Sequence, residues 1–543
     1  PVLPPALGRR RAALGHSRRR CGLRRALLRH DHIHISIMSR NDALAMATAE
    51  VDEEDLLSAL PSADPEEFVH TALSIHPLGA EEVKAMVAPS IASTTLSMWD
   101  MIEVPYRVRI RAAQDLKFES TKPKSKKAKK REKQTKKVLK LSDLVVYVEA
   151  ALYHGSVRLA DVQRTAGVLM ADSPRWDEEL KFDIDVADLP RAARLCVTIF
   201  LASEAALLDA VRGQAVEDAL PLGAINVPVV DYAGTLKTAG ATLALWPFEK
   251  ANPIATAQQN PARNTAPLLQ LQFPAFAGRV VFPTQLGLPV APPPTPDPDA
   301  DEMATVASLV SKDSVYRLSS AEKDVMWRHR YHILSAHPAG LAKLILSTPY
   351  HQRMAVLELY QILRQWPPYA SPLDALELLD AQIMDTVVRD FAVNALLSVS
   401  DDELSDFMIQ LVQALKNENY HDTPLARFLI RRSLRSRRLG HVFFWCLKAE
   451  MHIPEVQTRF SLYLEAYCRG CGQHRDELLR QVRLTQSLVE SAVYIKQVPT
   501  ATPEVLQAHL EANVKFPAKV QLVQNPSIEV NGLVLNKCKF MQS

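Results

Sequence analysis

The hydrophobic pattern of the 543-residue chain changes its period at one proline-rich, acidic segment, residues 283–302. Before this segment, from Val104 onward, apolar residues alternate with charged ones in short runs, as in half-buried β-strands. After it, from Ala321 onward, apolar residues recur every three or four positions, as on one face of an α-helix. Strands followed by helices indicate separately packed domains. We therefore predict a multidomain α+β protein with a semi-rigid linker at residues 283–308.

The first half of this pattern, residues 104–282, predicts an antiparallel β-sandwich. Tyr106, Val108 and Ile110 alternate with arginines, which indicates a strand with one buried face. The run RLCVTIFLA, which begins at Arg194, is a continuous apolar strand. About seven or eight such strands with turn residues between them are typical of a sandwich.

The clearest helical pattern lies in the stretch Asp401–His452. Its apolar residues within Leu404–Leu415 fall at i, i+3, i+4, i+7, i+8 and i+11, which predicts one helix with an unbroken apolar stripe. Thr423 and Pro424 predict the N-cap and the first residue of a second helix. Gly440 is predicted to end that helix and to precede a third, almost wholly apolar one.

A weak internal repeat extends this pattern. Asp385-Thr386 and Asp422-Thr423 each precede a similar apolar helix, and the two pairs lie 37 residues apart. This spacing suits stacked helix pairs, which bury one another's apolar faces. We predict an α-helical solenoid of HEAT-like helix pairs over residues 309–470.

The N-terminal region carries a different composition. Residues 1–29 contain nine arginines and no acidic residue. Residues 1–40 are therefore predicted to be disordered, and two explanations stay open: a targeting presequence, or upstream sequence before a true start at Met38. Residues 41–103 are predicted to be a linker with short helices.

A lysine-rich segment interrupts the predicted sandwich and is its most conspicuous surface feature. Between residues 122 and 137, ten Lys or Arg residues are opposed only by Glu132. Three interpretations stay open: contact with an anionic membrane, where each lysine contributes about 1 kcal/mol, a nuclear-import patch, and a solvated loop without function. Nucleic acid is disfavoured because no aromatic residue is present to stack on bases. The candidate membrane-binding residues are Lys122, Lys124, Lys126, Lys127, Lys129, Lys130, Arg131, Lys133, Lys136 and Lys137.

No catalytic motif is recognisable in the sequence. There is no glycine-rich phosphate-binding loop, no Asp-Phe-Gly element and no catalytic loop of the protein-kinase type. Six scattered cysteines indicate a reducing compartment rather than a disulfide framework. Cys468 and Cys471 form a CxxC, but no second ligand pair accompanies it, so we interpret both as buried or helix-capping residues. We assign no catalytic, cofactor-binding or metal-binding residue.

Two further sets of polar residues resemble metal ligands only superficially. His329 and His332 share a helical face but lack a third ligand, which favours ordinary surface or packing roles. Asp115 and Asp177 could face a calcium ion across the loops of the sandwich. The lysine-rich segment next to them opposes a divalent cation, and we do not predict a calcium site.

The order of these parts resembles the catalytic subunit of class I phosphatidylinositol 3-kinases over about residues 104–543. Residues 188–196, DLPRAARLC, are similar to the C2 domain of that family, and the tail NGLVLNKCKFMQS resembles the first strands of its kinase domain. The motifs that resemble its helical (PIK) domain are AEKDVMWRHR, ALELLD, VRDFAV, LSDFMIQLVQALK, LARFLI, LGHVFFWCLKAEMH and LEAYCRG.

The resemblance implies an activity for the full-length protein. It would transfer the γ-phosphate of ATP to the 3-hydroxyl of phosphoinositides with Mg²⁺. Residues 471–543 would begin a kinase domain with a short β segment, and this chain alone would supply membrane-contact and scaffold domains without catalysis. The alternative is a non-catalytic, membrane-associated adaptor built from the same two domains.

The resemblance also implies partners and a location. An anionic phosphoinositide membrane and a regulatory subunit are expected, and a small GTPase is a further candidate although its binding domain is not recognisable. We expect a cytoplasmic protein recruited peripherally to the plasma membrane; the lysine-rich segment, read as an import patch, makes the nucleus a second location. The candidate partner-contact residues are Glu322, Lys323, Asp324, Arg431, Arg435 and Arg438.

Overall fold

A computed structural model describes residues 95–116, 144–203, 219–283, 299–369, 371–498, 502–516 and 519–539. The Arg-rich N-terminus, most of the predicted linker at 41–103 and the lysine-rich segment lie outside these residues. The described chain divides into two compact units. Residues 95–481 and 519–530 form the first unit, and residues 482–516 and 531–539 form the second.

The first unit begins with the predicted β-sandwich. Its strands are β1 Thr95–Ser97, β2 Pro105–Gln114, β3 Leu144–His154, β4 Val157–Arg158, β5 Gln163–Arg164, β6 Val168–Leu169, β7 Arg175–Asp185, β8 Arg194–Ser203, β9 Leu220–Pro228, β10 Gly240–Ala244, β11 Trp246–Pro247, β12 Leu268–Gln272 and β13 Arg279–Val281. One sheet has the order β10-β12-β2-β7, and the other has the order β11-β9-β8-β3-β4, with β5 and β6 also paired to β3. The short β1 lies in the segment predicted as a linker and runs parallel to β13.

The alternation in the sequence correctly predicted which faces of β2 and β7 are buried. Tyr106, Val108 and Ile110 of β2 are at most 1% exposed. Leu180 and Phe182 of β7 are buried beside them, and the Tyr106 and Phe182 rings lie 6.0 Å apart. The core between the sheets is therefore built from the apolar positions of the two-residue period.

Strands β3 and β8 are buried along almost their whole length. They pair antiparallel from Leu144 opposite Ser203 to Tyr153 opposite Arg194. This register places Arg194 at the same end of the sheet as the tight turn after β3, where Gly155 has a φ of 56°. Both residues meet the helical region at this end of the sheet.

Apart from a late β-hairpin, the remainder of the first unit is helical, as predicted, and the second unit contains residues 482–497 of the penultimate helix and the whole of the last one. The helices are α1 Ala300–Ser311, α2 Ser320–Arg328, α3 Arg330–Ala336, α4 Leu341–Ser347, α5 Arg353–Gln365, α6 Thr386–Leu396, α7 Asp401–Asp406, α8 Met408–Leu415, α9 Pro424–Arg435, α10 Arg437–Glu450, α11 Pro454–Gly470, α12 His474–Gln497 and α13 Pro503–Asn513. The predicted start of α9 is confirmed, because Thr423 Oγ1 accepts a hydrogen bond from the Ala426 N–H at 3.3 Å.

The prediction of one continuous helix over Leu404–Leu415 is wrong. The backbone tightens at Phe407, whose N–H donates to the Leu404 carbonyl at 3.2 Å, and α7 and α8 meet there. The apolar stripe nevertheless survives, since Leu404, Met408 and Leu411 are buried. A hydrophobic period predicts which side chains face a core, but it does not reveal that the backbone forms a tighter, 3-10 turn at a single residue.

Gly440 does not end a helix, which corrects a second prediction. It lies inside α10, and Ser436 separates α9 from α10 by capping the Leu439 N–H. A Cβ at Gly440 would lie 2.6 Å from Cζ of Tyr467 and 2.8 Å from the Ser433 carbonyl oxygen. The glycine therefore permits α9, α10 and α11 to pack closely.

The last strands also differ from the prediction of two strands around Asn531-Gly532. β14 Val520–Leu522 pairs with β15 Asn525–Val530, so the hairpin lies earlier in the chain. After β15 the chain forms a 3-10 turn, Leu535–Lys537. In the second unit, the core joins Ile495 of α12 to α13. The assignment of residues 471–543 to the start of a kinase domain stays a prediction.

Candidate functional site

The predicted site residues fall into two groups. The lysine-rich segment lies outside the described residues and joins β2 to β3. Glu322 serves its own helix, α2, because its carboxylate accepts hydrogen bonds from the Ser319 N–H at 2.7 Å and from Tyr316 Oη at 2.9 Å. These hydrogen bonds lower the pKa of Glu322. Lys323 and Asp324 follow it in the first turns of the same helix.

The predicted arginine face of α9 and α10 is partly engaged within the protein. Arg438 pairs with Asp402 at the start of α7. Arg431 and Arg435 are exposed on α9. All three side chains are exposed at the surface, and Arg435, like Arg438, also has an interaction within the chain.

Arg194, which is fully buried, is one of several residues that connect the sandwich to the helical region. Its guanidinium donates to the carbonyls of Pro253 at 2.9 Å and Ala255 at 2.7 Å within the sandwich. It also donates to the Asn417 carbonyl at 2.9 Å and to the side chain of Asn419, both of which belong to the helical region. Burial lowers the pKa of Arg194 to about 10, so the side chain remains a cation at neutral pH.

Residues 416–423 form the loop between α8 and α9, here called the connector loop. Two buried arginines of the helical region hold its other side. Arg389 contacts Glu418 Oε1 at 3.0 Å, and Arg459 donates to the Leu415 carbonyl and the Glu418 carbonyl, both at 2.6 Å. The connector loop and its flanking residue thus supply the acceptors for three buried guanidinium groups, one of which comes from the sandwich. Such charge-assisted hydrogen bonds are stronger than neutral ones.

A second contact joins the turn after β3 to the start of α6. His154 stacks on Tyr350 with 3.9 Å between the ring centroids, and Tyr360 Oη donates to Asp385 Oδ2 at 2.7 Å. Asp385 also caps α6, as the sequence repeat predicted. Gly155 lies against Gln382, where an added Cβ would be 2.9 Å from the carbonyl carbon and closer still to its oxygen. The two surfaces therefore meet without space for a methyl group.

The protonation state of His154 follows from its burial. Its Nε2 lies 3.7 Å from Asp385 Oδ2, which is too long for a hydrogen bond, although proximity to a carboxylate favours the imidazolium. Desolvation, together with the charge of Arg194, outweighs that attraction and lowers the pKa of His154 to about 3. The ring is neutral at physiological pH.

This neutral histidine predicts a pH dependence of stability. Between about pH 6.5, its unfolded pKa, and pH 3, the unfolded chain binds a proton that the folded chain does not. The free energy of unfolding should therefore decrease as the pH is lowered, and it should be about 2 kcal/mol smaller at pH 5 than at pH 7. Chemical unfolding at pH 7 and pH 5, for the natural chain and for His154→Gln, measures this difference. His474, whose pKa is lowered to about 4, is present in both proteins and cancels in the comparison. Equal pH dependence in the two proteins would contradict the assignment.

Sequence reasoning did not identify this interface. Arg194 stands at the start of an apolar strand, where an exposed end was the natural expectation. The signal that could have found it is the run RAARLC, which places a cation directly before a strand that is apolar on both faces. His329, in contrast, is buried as expected for a packing residue. Cys468 is buried and Cys471 caps α11, so that prediction is confirmed.

Comparison with known proteins agrees with this architecture. Residues 142–273 match the family model for the phosphoinositide 3-kinase C2 domain, and residues 295–480 match the model for the accessory (PIK) domain of the phosphoinositide 3-kinase family. Phosphatidylinositol 3-kinase 1 of Dictyostelium discoideum is 35% identical over 379 residues, which cover 68% of this chain and 24% of that protein. The chain belongs to the phosphoinositide 3-kinase family. The sandwich is its C2 domain, and the helical region contains its PIK domain.

A second phosphoinositide 3-kinase gives the same result. Phosphatidylinositol 3-kinase 2 of the same organism is 32% identical over 446 residues, which cover 73% of this chain and 24% of that protein. The chain thus spans about a quarter of the length of the curated relatives that it matches. A C2 domain is consistent with contact between this chain and a membrane surface. None of the described helices is both long and apolar enough to cross a membrane.

Within the described residues, no three His, Cys, Asp or Glu side chains converge to hold a metal ion. His474, Arg475 and Asp476 spell the tripeptide of a kinase catalytic loop, but they form the first turn of α12. We derive no step of the reaction from these residues.

Proposed function

We propose that this chain is the scaffold of a phosphoinositide 3-kinase catalytic subunit. Its C2 and PIK domains would hold a kinase domain at the membrane, where the whole protein transfers the γ-phosphate of ATP to the 3-hydroxyl of phosphoinositides. The observation that carries the proposal is the contact of Arg194 with both domains. That contact ties the C2 domain to the helical scaffold through one buried side chain.

The enzymatic part of this proposal is tested on the native protein. Antibodies raised against residues 1–543 should precipitate an activity that phosphorylates the 3-position of phosphatidylinositol 4,5-bisphosphate and that requires ATP and Mg²⁺. The recombinant chain alone should show none. Precipitates without lipid-kinase activity would favour the alternative, a non-catalytic membrane-associated adaptor.

Membrane contact is assigned to one end of the C2 domain. The lysine-rich segment re-enters the sheet at Leu144, which pairs with Ser203 of β8. Leu220 of β9 lies near the same end and is 46% exposed, and Phe248, 39% exposed, hydrogen bonds through its N–H to the Leu222 carbonyl there. Cationic and exposed apolar residues at one end suit an anionic bilayer. Engagement of half of the ten basic residues would contribute about 5 kcal/mol.

Charge reversal tests this surface. Changing Lys126, Lys127, Lys129 and Lys130 to Glu should abolish flotation with vesicles that contain phosphatidylserine, because the attraction becomes repulsion. The Phe248→Ser variant should weaken flotation less. A matched control changes four exposed arginines of the PIK domain to Glu (Arg364, Arg431, Arg435 and Arg480) and should float normally. Loss of binding in the control, or normal binding by the lysine variant, would refute the assignment.

A regulatory subunit is proposed as a further partner, with a small GTPase as a second candidate. The accessible residues on which it would rest are Lys323 and Asp324 of α2 and Arg431 and Arg435 of α9. Glu322 contributes less because its carboxylate is engaged by Ser319 and Tyr316. Neutralising Arg431 and Arg435 should lower affinity for such a subunit in a pull-down assay without changing vesicle flotation.

A further inference from the structure

The junction between α11 and α12 brings two thiols together. Cys468 lies in the last turn of α11 and is buried, and Cys471 is the C-cap of the same helix. The Cys471 thiol lies 3.6 Å from the Cys468 carbonyl oxygen, and the two side chains are also hydrogen bonded to each other. Neither residue is part of the interface with the C2 domain.

Cys471 differs from the other described cysteines in its surroundings. Its sulfur receives the N–H of Arg475 at the start of α12, and the Arg475 side chain adds a positive charge. Together with the hydrogen bond from Cys468, which contributes most, these groups outweigh the opposing effect of burial and lower the pKa of Cys471. Burial instead raises the pKa of Cys196 to about 12 and that of Cys446 to about 11. A thiolate is the reactive form of cysteine, so peroxide should select Cys471.

We propose that Cys468 and Cys471 form an oxidisable pair, in which Cys471 reacts with hydrogen peroxide and Cys468 resolves the product. The Cys471 thiolate attacks one peroxide oxygen, the O–O bond breaks, and a sulfenic acid and hydroxide form; the hydroxide becomes water after taking a proton. The Cys468 sulfur then attacks the Cys471 sulfur, and the sulfenic oxygen leaves as a second water. Two thiols are oxidised to one disulfide and one peroxide is reduced to two waters.

The backbone permits this closure. Residues three apart on a helix have Cβ atoms about 5–6 Å apart, whereas a disulfide needs about 3.5–4.5 Å. Cys471 stands outside the regular helix with φ −83° and ψ 1°, and Gly472 follows with φ 56°. Nothing lies within 4 Å of the position of a Cβ at Gly472, so the turn has room to adjust. The cap residue can therefore move without meeting a neighbour at Gly472.

The closure also affects the neighbouring residues. His474, the first residue of α12, hydrogen bonds through Nδ1 to Tyr467 Oη at 2.8 Å. Arg437 of α10 pairs with Glu477 in the same turn. A disulfide that moves residues 471–473 should loosen both contacts. We expect faster amide exchange over residues 472–477 in the oxidised protein, and unchanged exchange at the contact of Arg194.

The test is a titration of the whole chain with hydrogen peroxide, followed by peptide mass analysis. The peptide that carries both cysteines should lose two hydrogens, at a rate on the order of tenfold above oxidation of Cys446 or Cys196, since far less of those thiols is ionised. In Cys468→Ala the sulfenic acid should persist at Cys471 and react with dimedone. Cys471→Ser should prevent both products, and Cys446→Ser is the matched control that should change neither.

Several outcomes would overturn the proposal. Among them are oxidation of Cys446 as fast as Cys471, dimedone labelling of Cys468 rather than Cys471, and persistence of both thiols in the natural chain. Because Cys468 is buried, its alanine variant could fail to fold. The Cys471→Ser variant and the disulfide measurement in the natural chain decide the question without it.

Discussion

Alanine at Gly155 is expected to lower the free energy of unfolding by about 3 kcal/mol or more, the sum of backbone strain and overpacking. The φ of 56° lies in the left-handed region, where a Cβ is unfavourable. The added methyl would also meet the backbone of Gln382, which no side-chain rotation can move away. The turn after β3 must then separate from the PIK domain.

Gly472→Ala is the matched control for this experiment. Gly472 has the same φ of 56°, but nothing lies within 4 Å of its missing Cβ. Its substitution should therefore cost only the backbone term, about 1 kcal/mol. Urea unfolding of both variants gives the difference between their losses in unfolding free energy. This difference is the part of the loss that comes from the clash with Gln382. Hydrogen exchange should show faster opening around Gln382 in Gly155→Ala only. If both variants lose the same unfolding free energy, the contact between Gly155 and Gln382 contributes nothing to stability, which would contradict the prediction.

Much of the fold could be predicted because it is encoded by neighbouring residues. The alternation of Tyr106, Val108 and Ile110 is a local property, and so is the pairing of Thr423 with Pro424 at the start of α9. Each was correct because strand and helix periods decide which face is buried, and N-caps are selected by a hydrogen bond three residues away. Predictions of this kind use information within one turn or one strand.

The interface could not be predicted because its contacts join residues far apart in the sequence. Arg194 meets Asn417 and Gly155 meets Gln382, and no local pattern encodes either pair. Arginine is also rarely buried, so composition gives the wrong expectation for Arg194. The prediction that Gly440 ends a helix was wrong for the same reason, since the role of this glycine depends on Tyr467 in another helix. In each case a distant partner gives the residue its function.

These buried arginines also explain how the connector loop can have a fixed shape without regular structure. A loop that leaves its carbonyls buried needs donors from elsewhere, because unpaired buried acceptors are costly. Arg459 supplies donors to these carbonyls from the PIK domain and Arg194 from the C2 domain, while Arg389 pairs with the side chain of Glu418. The loop is therefore complete only when both domains are in place. Loss of the arginine donors from either domain should therefore destabilise the connector loop.

Replacing Arg194 by methionine tests that dependence directly. The substitution removes the donors to the carbonyls of Pro253, Ala255 and Asn417 while leaving an apolar side chain of similar length. A buried acceptor left without its donor typically costs about 1–3 kcal/mol, so the loss of donors to three carbonyls should lower the unfolding free energy by about 4 kcal/mol. The connector loop should also become a site of limited proteolysis.

Two arginines serve as controls for Arg194→Met. Arg107→Met removes a cation whose side chain is 48% exposed and pairs with Glu179 at 3.2 Å, and it should cost less than about 1 kcal/mol. Arg459→Met removes a buried guanidinium that contacts only the PIK domain, so it should destabilise by a similar amount to Arg194→Met. Hydrogen exchange separates the two: Arg194→Met should expose residues 253–255 of the C2 domain together with the connector loop, whereas Arg459→Met should expose the loop alone. If Arg194→Met exposes neither segment, the two domains are held together by other contacts, and the scaffold does not depend on the buried arginine.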